Sequence, residues 1–405
     1  MRWNRRRRVV LVFLTVSLGL IACSGNGGRS TGPELSSTTT APKQSPTTTA
    51  TATLGAFPQL PEASLPAAVR DSLQSLLDGQ VLGRTEGGVA AAVIVAGEGS
   101  WAGAAGAADD RGTPLVPQAT FAIASVTKSF VAAEVLHLVE EGRMSLDDPL
   151  SALLPDGLDI DPNDATLRNT LTMRSGISEH VTDSFIADVV TEPGRHWDPE
   201  QNLDYVGASV FPPDTRTQYS NTNYILLGFV IQEETGLPLG EALGNGVLAT
   251  EGMGGIVVQD DERPLRPLAL PHSRFRGFPS ADEAEVVGGG YLPLRSLASA
   301  AWSAGGFAAD APTLARWGYL LFGGYVLEPT SLTEMTTFNE GYGMGAGDLG
   351  QGAIGHLGEI PGYSSILATR PDDGLVVAVL TNGEQLNVGL IADRLADVAV
   401  GDPEG

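Results

Sequence analysis

Ser125 and Lys128 are the residues in this sequence whose types and spacing most directly suggest a reaction. They frame Ser125-Val126-Thr127-Lys128, at the head of an amphipathic helix expected over residues 131–141. Positions i and i+3 share one helical face, so a serine Oγ and a lysine Nζ can meet there. A serine hydroxyl is a weak nucleophile until a base takes its proton. Lysine can be that base only where burial or nearby positive charge lowers its pKa. The start of a helix adds positive potential and free N–H groups suited to an oxyanion. Lysine is also scarce here: Lys43 and Lys128 stand beside 22 arginines. Ammonium can lose its proton inside a site and guanidinium cannot, so a lone lysine in the folded part raises a chemical question.

Two later segments could complete such a site. Tyr219-Ser220-Asn221 leads into a helix expected over residues 224–234, between Asn223 and Gly236. A phenol beside a lysine can act as general acid or base, and an asparagine can donate to a carbonyl and hold the lysine. Helix capping by Asn221 or Asn223 and packing by Tyr219 account for the tripeptide equally well. His356-Leu357-Gly358, followed by Glu359, is the other segment. The histidine could add positive potential, or be an ordinary surface or hydrogen-bonded core residue. Gly358 permits close backbone approach to a substrate. Gly345-x-Gly347-x-x-Gly350 fits a dinucleotide-binding pattern, but no strong strand precedes it and no helix-forming run follows, so it is expected to be a loop. His137 sits mid-helix and is expected to be structural. With His180, His196 and His272 it shows no ligand spacing, so neither a metal nor another cofactor is expected.

The elements that must position these residues follow from composition and pattern. Of the 24 basic residues, five lie within residues 1–22, and the chain carries 48 acidic ones. So acidic a surface repels phosphate backbones, which argues against nucleic acid as a partner. Cys23 is the one cysteine, so no disulfide framework holds the fold. A chain that is 42% hydrophobic can bury a large core. Arg2 and Arg5 to Arg8 precede an apolar run over 9–20, the pattern of an export signal over residues 1–22. It ends Leu20-Ile21-Ala22-Cys23, which resembles a bacterial lipobox with Cys23 as the lipidated residue. The expected location is therefore the bacterial cell envelope, outside the cytoplasm, on a membrane lipid anchor. Residues 23–60, rich in Ser, Thr and Pro, are expected to be a flexible tether. A domain over 61–401 follows. Helices are expected over 67–77, 313–322 and 388–400, and strands over 89–96, near Trp101, and over 366–369 and 375–380. A mainly helical insertion occupies about 150–290.

The three motifs, in this order, resemble those of the serine hydrolases related to class C β-lactamases and to D-alanyl-D-alanine carboxypeptidases of the penicillin-binding type. The resemblance extends over residues 121–156, Leu171-Thr172, Ser175-Gly176, residues 219–236, Ser303 to Gly306, and Tyr342 to Gly345. It implies an α/β (α+β) fold of the β-lactamase/transpeptidase type: an antiparallel sheet flanked by helices, with an all-helical lobe and the site between them. It implies that Ser125 is acylated, that Lys128 takes its proton, and that Tyr219 protonates the leaving group. Asn221 would contact the substrate carbonyl or Lys128, and His356 would add positive potential on a strand edge. The backbone N–H groups of Ser125 and Glu359, with Gly358 between strand and substrate, would receive the oxyanion. The implied partner is a small-molecule or cell-wall peptide substrate, with D-amino-acid peptides or envelope esters in front. A β-lactamase and a non-catalytic envelope-binding lipoprotein are the alternatives. Two positions depart from the family pattern. Leu357 stands where β-lactam-active members usually carry Thr or Ser, which leaves esters or amides open as substrates. Asp214 stands where a turn glycine is usual.

Overall fold

The segment Gly88–Val95 reads GVAAAVIV, and all eight of its residues are buried. A strand buried on both sides needs a cover on each face, and the domain is arranged to supply one. The computed structural model describes residues 54–84, 86–259, 262–275 and 277–401. The expected signal segment, the lipidation residue Cys23 and most of the expected tether lie outside the described residues.

In chain order the described strands are β1 (Gly88–Val95), β2 (Gly99–Gly106), β3 (Phe121–Ala122), β4 (Ile256–Val258), β5 (Phe307–Ala309), β6 (Gly347–Gly350), β7 (Ala353–Ile360), β8 (Tyr363–Arg370) and β9 (Leu375–Thr381). Six of them form one sheet in the order β2-β1-β9-β8-β7-β6, antiparallel at every step. Alternation along β1 divides its side chains between two cores. Val89, Ala91 and Val93 meet Leu73 and Leu77 of the Ala67–Val81 helix and Ile391 and Leu395 of the Val388–Val400 helix. Ala90, Ala92 and Ile94 join the larger cluster on the other face, with Trp317 of the Ala311–Phe322 helix and Phe130 of the Thr127–Glu140 helix. The Phe130 and Trp317 rings stack with centroids 4.2 Å apart. The expected antiparallel sheet with helices on both faces is therefore present.

The helical insertion differs from expectation. Its helices form, Asn221–Thr235 the longest of them, but Ile256–Val258 becomes β4. Three consecutive β-branched residues suit a strand, and they pair with β5 in a second sheet, β3-β5-β4. The strand β4 is thus an addition to the expected helical insertion. The glycine-rich segment expected as a loop likewise supplies the edge strand β6. The small sheet matters for the site, because β3 carries the chain straight into Ser125.

The last residues of the expected tether pack on the domain. Gly55 N–H donates to the Phe322 carbonyl at 2.8 Å and Phe57 N–H to the Gly323 carbonyl at 3.2 Å. The Tyr319 and Tyr325 hydroxyls donate to the carbonyls of Pro58 and Phe57 at 2.7 and 2.9 Å. Phe57 itself is buried, its ring 5.1 Å from that of Tyr319. Residues 54–60 are thus part of the domain, anchored by one aromatic side chain within a Pro-rich stretch. Phe57→Ala should lower the unfolding free energy by about 3 kcal/mol, the usual cost of deleting a buried ring. The urea midpoint checks it. An unmoved midpoint would return these residues to the tether.

Candidate active site

The site begins where β3 ends. Ile123 N–H donates to the Phe307 carbonyl at 3.0 Å, which fixes the chain against β5. Ala124 then takes a left-handed conformation, φ 46°, one that costs a non-glycine residue energy and recurs at functional sites. A single 3-10 turn, Ala124–Val126, carries Ser125, and the α-helix starts at Thr127. Lys128 therefore lies in the first turn of that helix and is fully buried.

Three elements converge on its amine. Nζ is 3.1 Å from Ser125 Oγ, 2.8 Å from Asn221 Oδ1 and 2.6 Å from the Ala304 carbonyl oxygen. Asn221 opens the Asn221–Thr235 helix. Ala304 lies near the end of the Arg295–Gly305 helix, beyond a break at Trp302, whose φ of 36° and ψ of −123° are not helical. An ammonium has three N–H groups for these three acceptors. A neutral amine has two, which Asn221 and Ala304 can take, leaving its lone pair toward Ser125 Oγ. The same geometry thus satisfies both protonation states and aims the basic one at the hydroxyl. Burial brings the Lys128 pKa down from 10.5 to about 7, although the Glu179 carboxylate pulls it up. Near neutrality a substantial share of Lys128 is a free amine, the condition for a general base.

Glu179 carries no signal in the sequence, yet it fixes the orientation of Asn221. Its Oε2 accepts from the Asn221 backbone N–H at 2.8 Å and from Nδ2 at 2.9 Å. That leaves Oδ1 facing Lys128. The loop holding Glu179 is tied to the same helix, since Thr222 Oγ1 accepts from His180 N–H and donates to the Ser178 carbonyl. His180 is buried and pushed down to about 4, first by burial, with the Lys128 charge adding to it and Glu179 opposing.

Tyr219 lies across the site, 41% exposed as a residue, with its ring centroid 4.9 Å from Lys128 Nζ. Desolvation at its hydroxyl end raises the phenol well above its ordinary value, while the Ser125 hydroxyl bonded to it pulls the other way. Tyr219 is therefore a protonated phenol next to Ser125.

His356 on β7 is buried and neutral, which corrects its expected part as a source of positive potential. Burial and the Lys128 charge push it down to about 3, against the Leu357 carbonyl. Nδ1–H donates to that carbonyl at 2.5 Å, which leaves Nε2 to accept from the Tyr342 hydroxyl at 3.1 Å. The tautomer follows from these partners. Tyr342, whose segment is noted above only as similar to the family, stands edge-on to both Tyr219 and His356, with ring centroids 5.9 and 5.7 Å away.

Gly358 sets the distance between β7 and the serine turn. A Cβ at this position would lie 2.4 Å from the Ile123 carbonyl oxygen and 3.1 Å from Ser125 N. Only a glycine lets the strand come this close. Ser125 and Glu359 accordingly line one cleft of about 170 Å³. Its walls are apolar: Phe185 and Ile186, Leu297 and Ala300, Ile360 and Pro361. Leu357 is 45% exposed on the same strand. Asp214, at the expected turn-glycine position, has φ 63° and pairs with Arg174 at 2.8 Å, so an aspartate adopts the conformation that glycine would.

A serine, an amine tuned by burial and a protonated tyrosine beside an apolar cleft form a group of side chains suited to acyl transfer. The chain belongs to the Beta-lactamase family, whose sequence pattern matches residues 73–401. It is similar to the unguisins hydrolase ungD' of Aspergillus campestris, 25% identical over 308 residues, 71% of this chain and 57% of that one. It is also similar to PbpX of Bacillus subtilis, a protein named for penicillin binding, 25% identical over 292 residues, 68% of this chain and 64% of that one. The chain thus spans less than two thirds of the length of these two relatives. Among solved structures, D-amino acid amidase from Ochrobactrum anthropi SV3 complexed with L-phenylalanine matches with a TM-score of 0.69 at 26% identity, covering 83% of this chain and 98% of that one.

Three outcomes follow from the state of Lys128, the last two read from one pH profile. Lys128→Arg keeps the charge but supplies no base near neutrality, so turnover should fall at least ~100-fold. In the unaltered protein kcat/KM should rise as pH climbs through about 7, because the deprotonated amine is the active form. Glu179→Gln removes the carboxylate that holds the amine up, so the same rise should move to lower pH. A pH profile of kcat/KM checks both, and a profile unmoved by Glu179→Gln would sever Glu179 from the base.

Proposed function

We propose that this protein is an exported, lipid-anchored serine hydrolase that forms an acyl-enzyme at Ser125 and cleaves amides or esters with apolar acyl groups, amides of D-amino acids foremost. The observation that carries the reading is the 3.1 Å approach of Lys128 Nζ to Ser125 Oγ, with two of its N–H groups already directed elsewhere. Lys128 takes the Ser125 proton as Oγ bonds to the substrate carbonyl carbon. The oxyanion that forms is received by the backbone N–H groups of Ser125 and Glu359. As the intermediate collapses, Tyr219 gives its proton to the departing nitrogen or oxygen and is reprotonated from the Lys128 ammonium. Water then attacks the acyl-enzyme by the same relay in reverse and releases the acid.

The substrate class rests on the cleft and on the names of the relatives. Apolar walls favour an aliphatic or aromatic acyl side chain; a D-amino acid amidase is similar in structure and an unguisins hydrolase is similar in sequence. Leu357 offers no donor to a substrate carboxylate. Leaving a charged group poorly satisfied costs about 1–3 kcal/mol, or roughly tenfold to more than a hundredfold in affinity. That argues against penicillins and D-Ala-D-Ala peptides as preferred substrates. Export and anchoring rest on residues 1–23, where an arginine run, an apolar run and Cys23 follow in order.

Fluorophosphonate labelling of the intact protein, with Ser125→Ala beside it, tests the nucleophile. The expected result is labelling of the parent and none of the variant, and labelling of Ser125→Ala would overturn the assignment. With D-phenylalanine amide and benzylpenicillin as competing substrates, kcat/KM should favour the amide, and Leu357→Thr should shift the ratio toward the penicillin. Membrane fractionation with labelled palmitate, lost in Cys23→Ser, tests the anchor.

A further inference from the structure

We propose that the Glu359 side chain selects substrates by charge, admitting cationic and neutral groups to the cleft and turning away anionic ones. The inference rests on the hydrolase reading above and deepens its substrate class. Gly358 brings the β7 backbone against Ser125 N, so the residue that follows it stands directly beside the nucleophile. That residue is an exposed glutamate lining the cleft. The rest of the lining supplies no compensating cation. It is otherwise apolar apart from Ser125, Asn221 and the buried imidazole of His180. Lys128 does not reach the cleft surface as a free charge, because it is fully buried and its amine is engaged by Ser125, Asn221 and Ala304. Among the described residues no hydrogen bond or ion pair engages the Glu359 carboxylate. A second acid lies on the far side of Asn221: Glu179, with 29% of its side chain exposed. Both acids act in the same direction on an arriving charge.

The physical effect is a field rather than a contact. Apolar walls screen a charge less than water does, so a carboxylate at the lip of such a cleft acts over several ångströms. Two unit charges at that range near a protein surface give roughly a threefold to thirtyfold change in affinity at low salt. The sign is fixed: an ammonium on the substrate gains and a carboxylate loses. Glu359 thereby adds an active bar to what Leu357 does by omission, since one repels the anion and the other declines to solvate it.

The test uses three D-phenylalanine p-nitroanilides matched around the amino group: glycyl (cationic), acetyl (neutral) and succinyl (anionic). The full-length protein and Glu359→Gln are compared by kcat/KM at low and high salt, with thermal unfolding as the check on folding. The parent is expected to rank cation over neutral over anion. Glu359→Gln is expected to compress the cation-to-anion ratio by roughly tenfold, and high salt to compress it in the parent but hardly in the variant. A ratio unchanged by Glu359→Gln overturns the proposal. Equal rates for all three substrates overturn charge selection while leaving the hydrolase reading in place, because the neutral anilide reports that reading alone. No cleavage of any of them by the parent overturns both.

Discussion

Burial of Lys128 is the constraint on which the rest of the site depends. Withdrawing an ammonium from water is costly unless every donor is met. Here the acceptors come from three separate elements: the serine turn, the start of the Asn221–Thr235 helix and the broken end of the Arg295–Gly305 helix. None of these is close to another in sequence, except Ser125 to Lys128 itself. The second sheet then acquires a purpose. It fastens β3, and with it the serine turn, to β5, the strand that follows directly on the helix supplying Ala304. Its pairing sets the distance between nucleophile and carbonyl that a buried lysine requires.

The same burial simplifies the proton chemistry. His180 is depressed to about 4 and His356 to about 3, while Tyr219 and Tyr342 are raised, all chiefly by desolvation. Lys128, at about 7, is left as the group in this cluster that changes charge near neutrality. The imidazoles and phenols around the amine are neutral in the resting site, and His356 has a defined tautomer. The His356 ring cannot turn over without losing both the Leu357 carbonyl and the Tyr342 hydroxyl. A neutral, doubly anchored imidazole is a spacer of fixed polarity beside Tyr219, which is a different contribution from a positive charge.

Much of this was legible in the sequence where the relevant partners are local. Ser125 and Lys128 are three residues apart, and the apolar runs expected as strands over 89–96 and 375–380 are β1 and β9 to within a residue at each end. What escaped was tertiary in origin. Glu179 matters through Asn221, 42 residues away, and Ala304 contributes a backbone carbonyl, which no residue type can announce. The charge of His356 is a property of its surroundings, so its identity alone pointed the wrong way. Phe57 was hidden by the composition around it, and β4 by short helices on either side. In each case the deciding term was burial by distant segments, which local pattern does not carry.

Two requirements meet on β7, and they explain why so short a stretch combines such dissimilar residues. The interior-facing positions must be small or neutral. Gly358 has to let the strand touch Ser125, and His356 has to sit beside a buried cation without adding a second charge. The outward positions face no such limit, because strand alternation turns them away from Lys128. Leu357 and Glu359 are both exposed there, one apolar and one acidic. A change at 356 or 358 would therefore disturb the lysine or the serine turn before it altered recognition. A change at 357 or 359 can alter what the cleft accepts while the proton machinery stays intact. On the proposed reading, the pleat of a single strand turns positions 356 and 358 toward the reaction centre and positions 357 and 359 toward the substrate, so side-chain changes at the latter two would alter preference on an unchanged reaction centre.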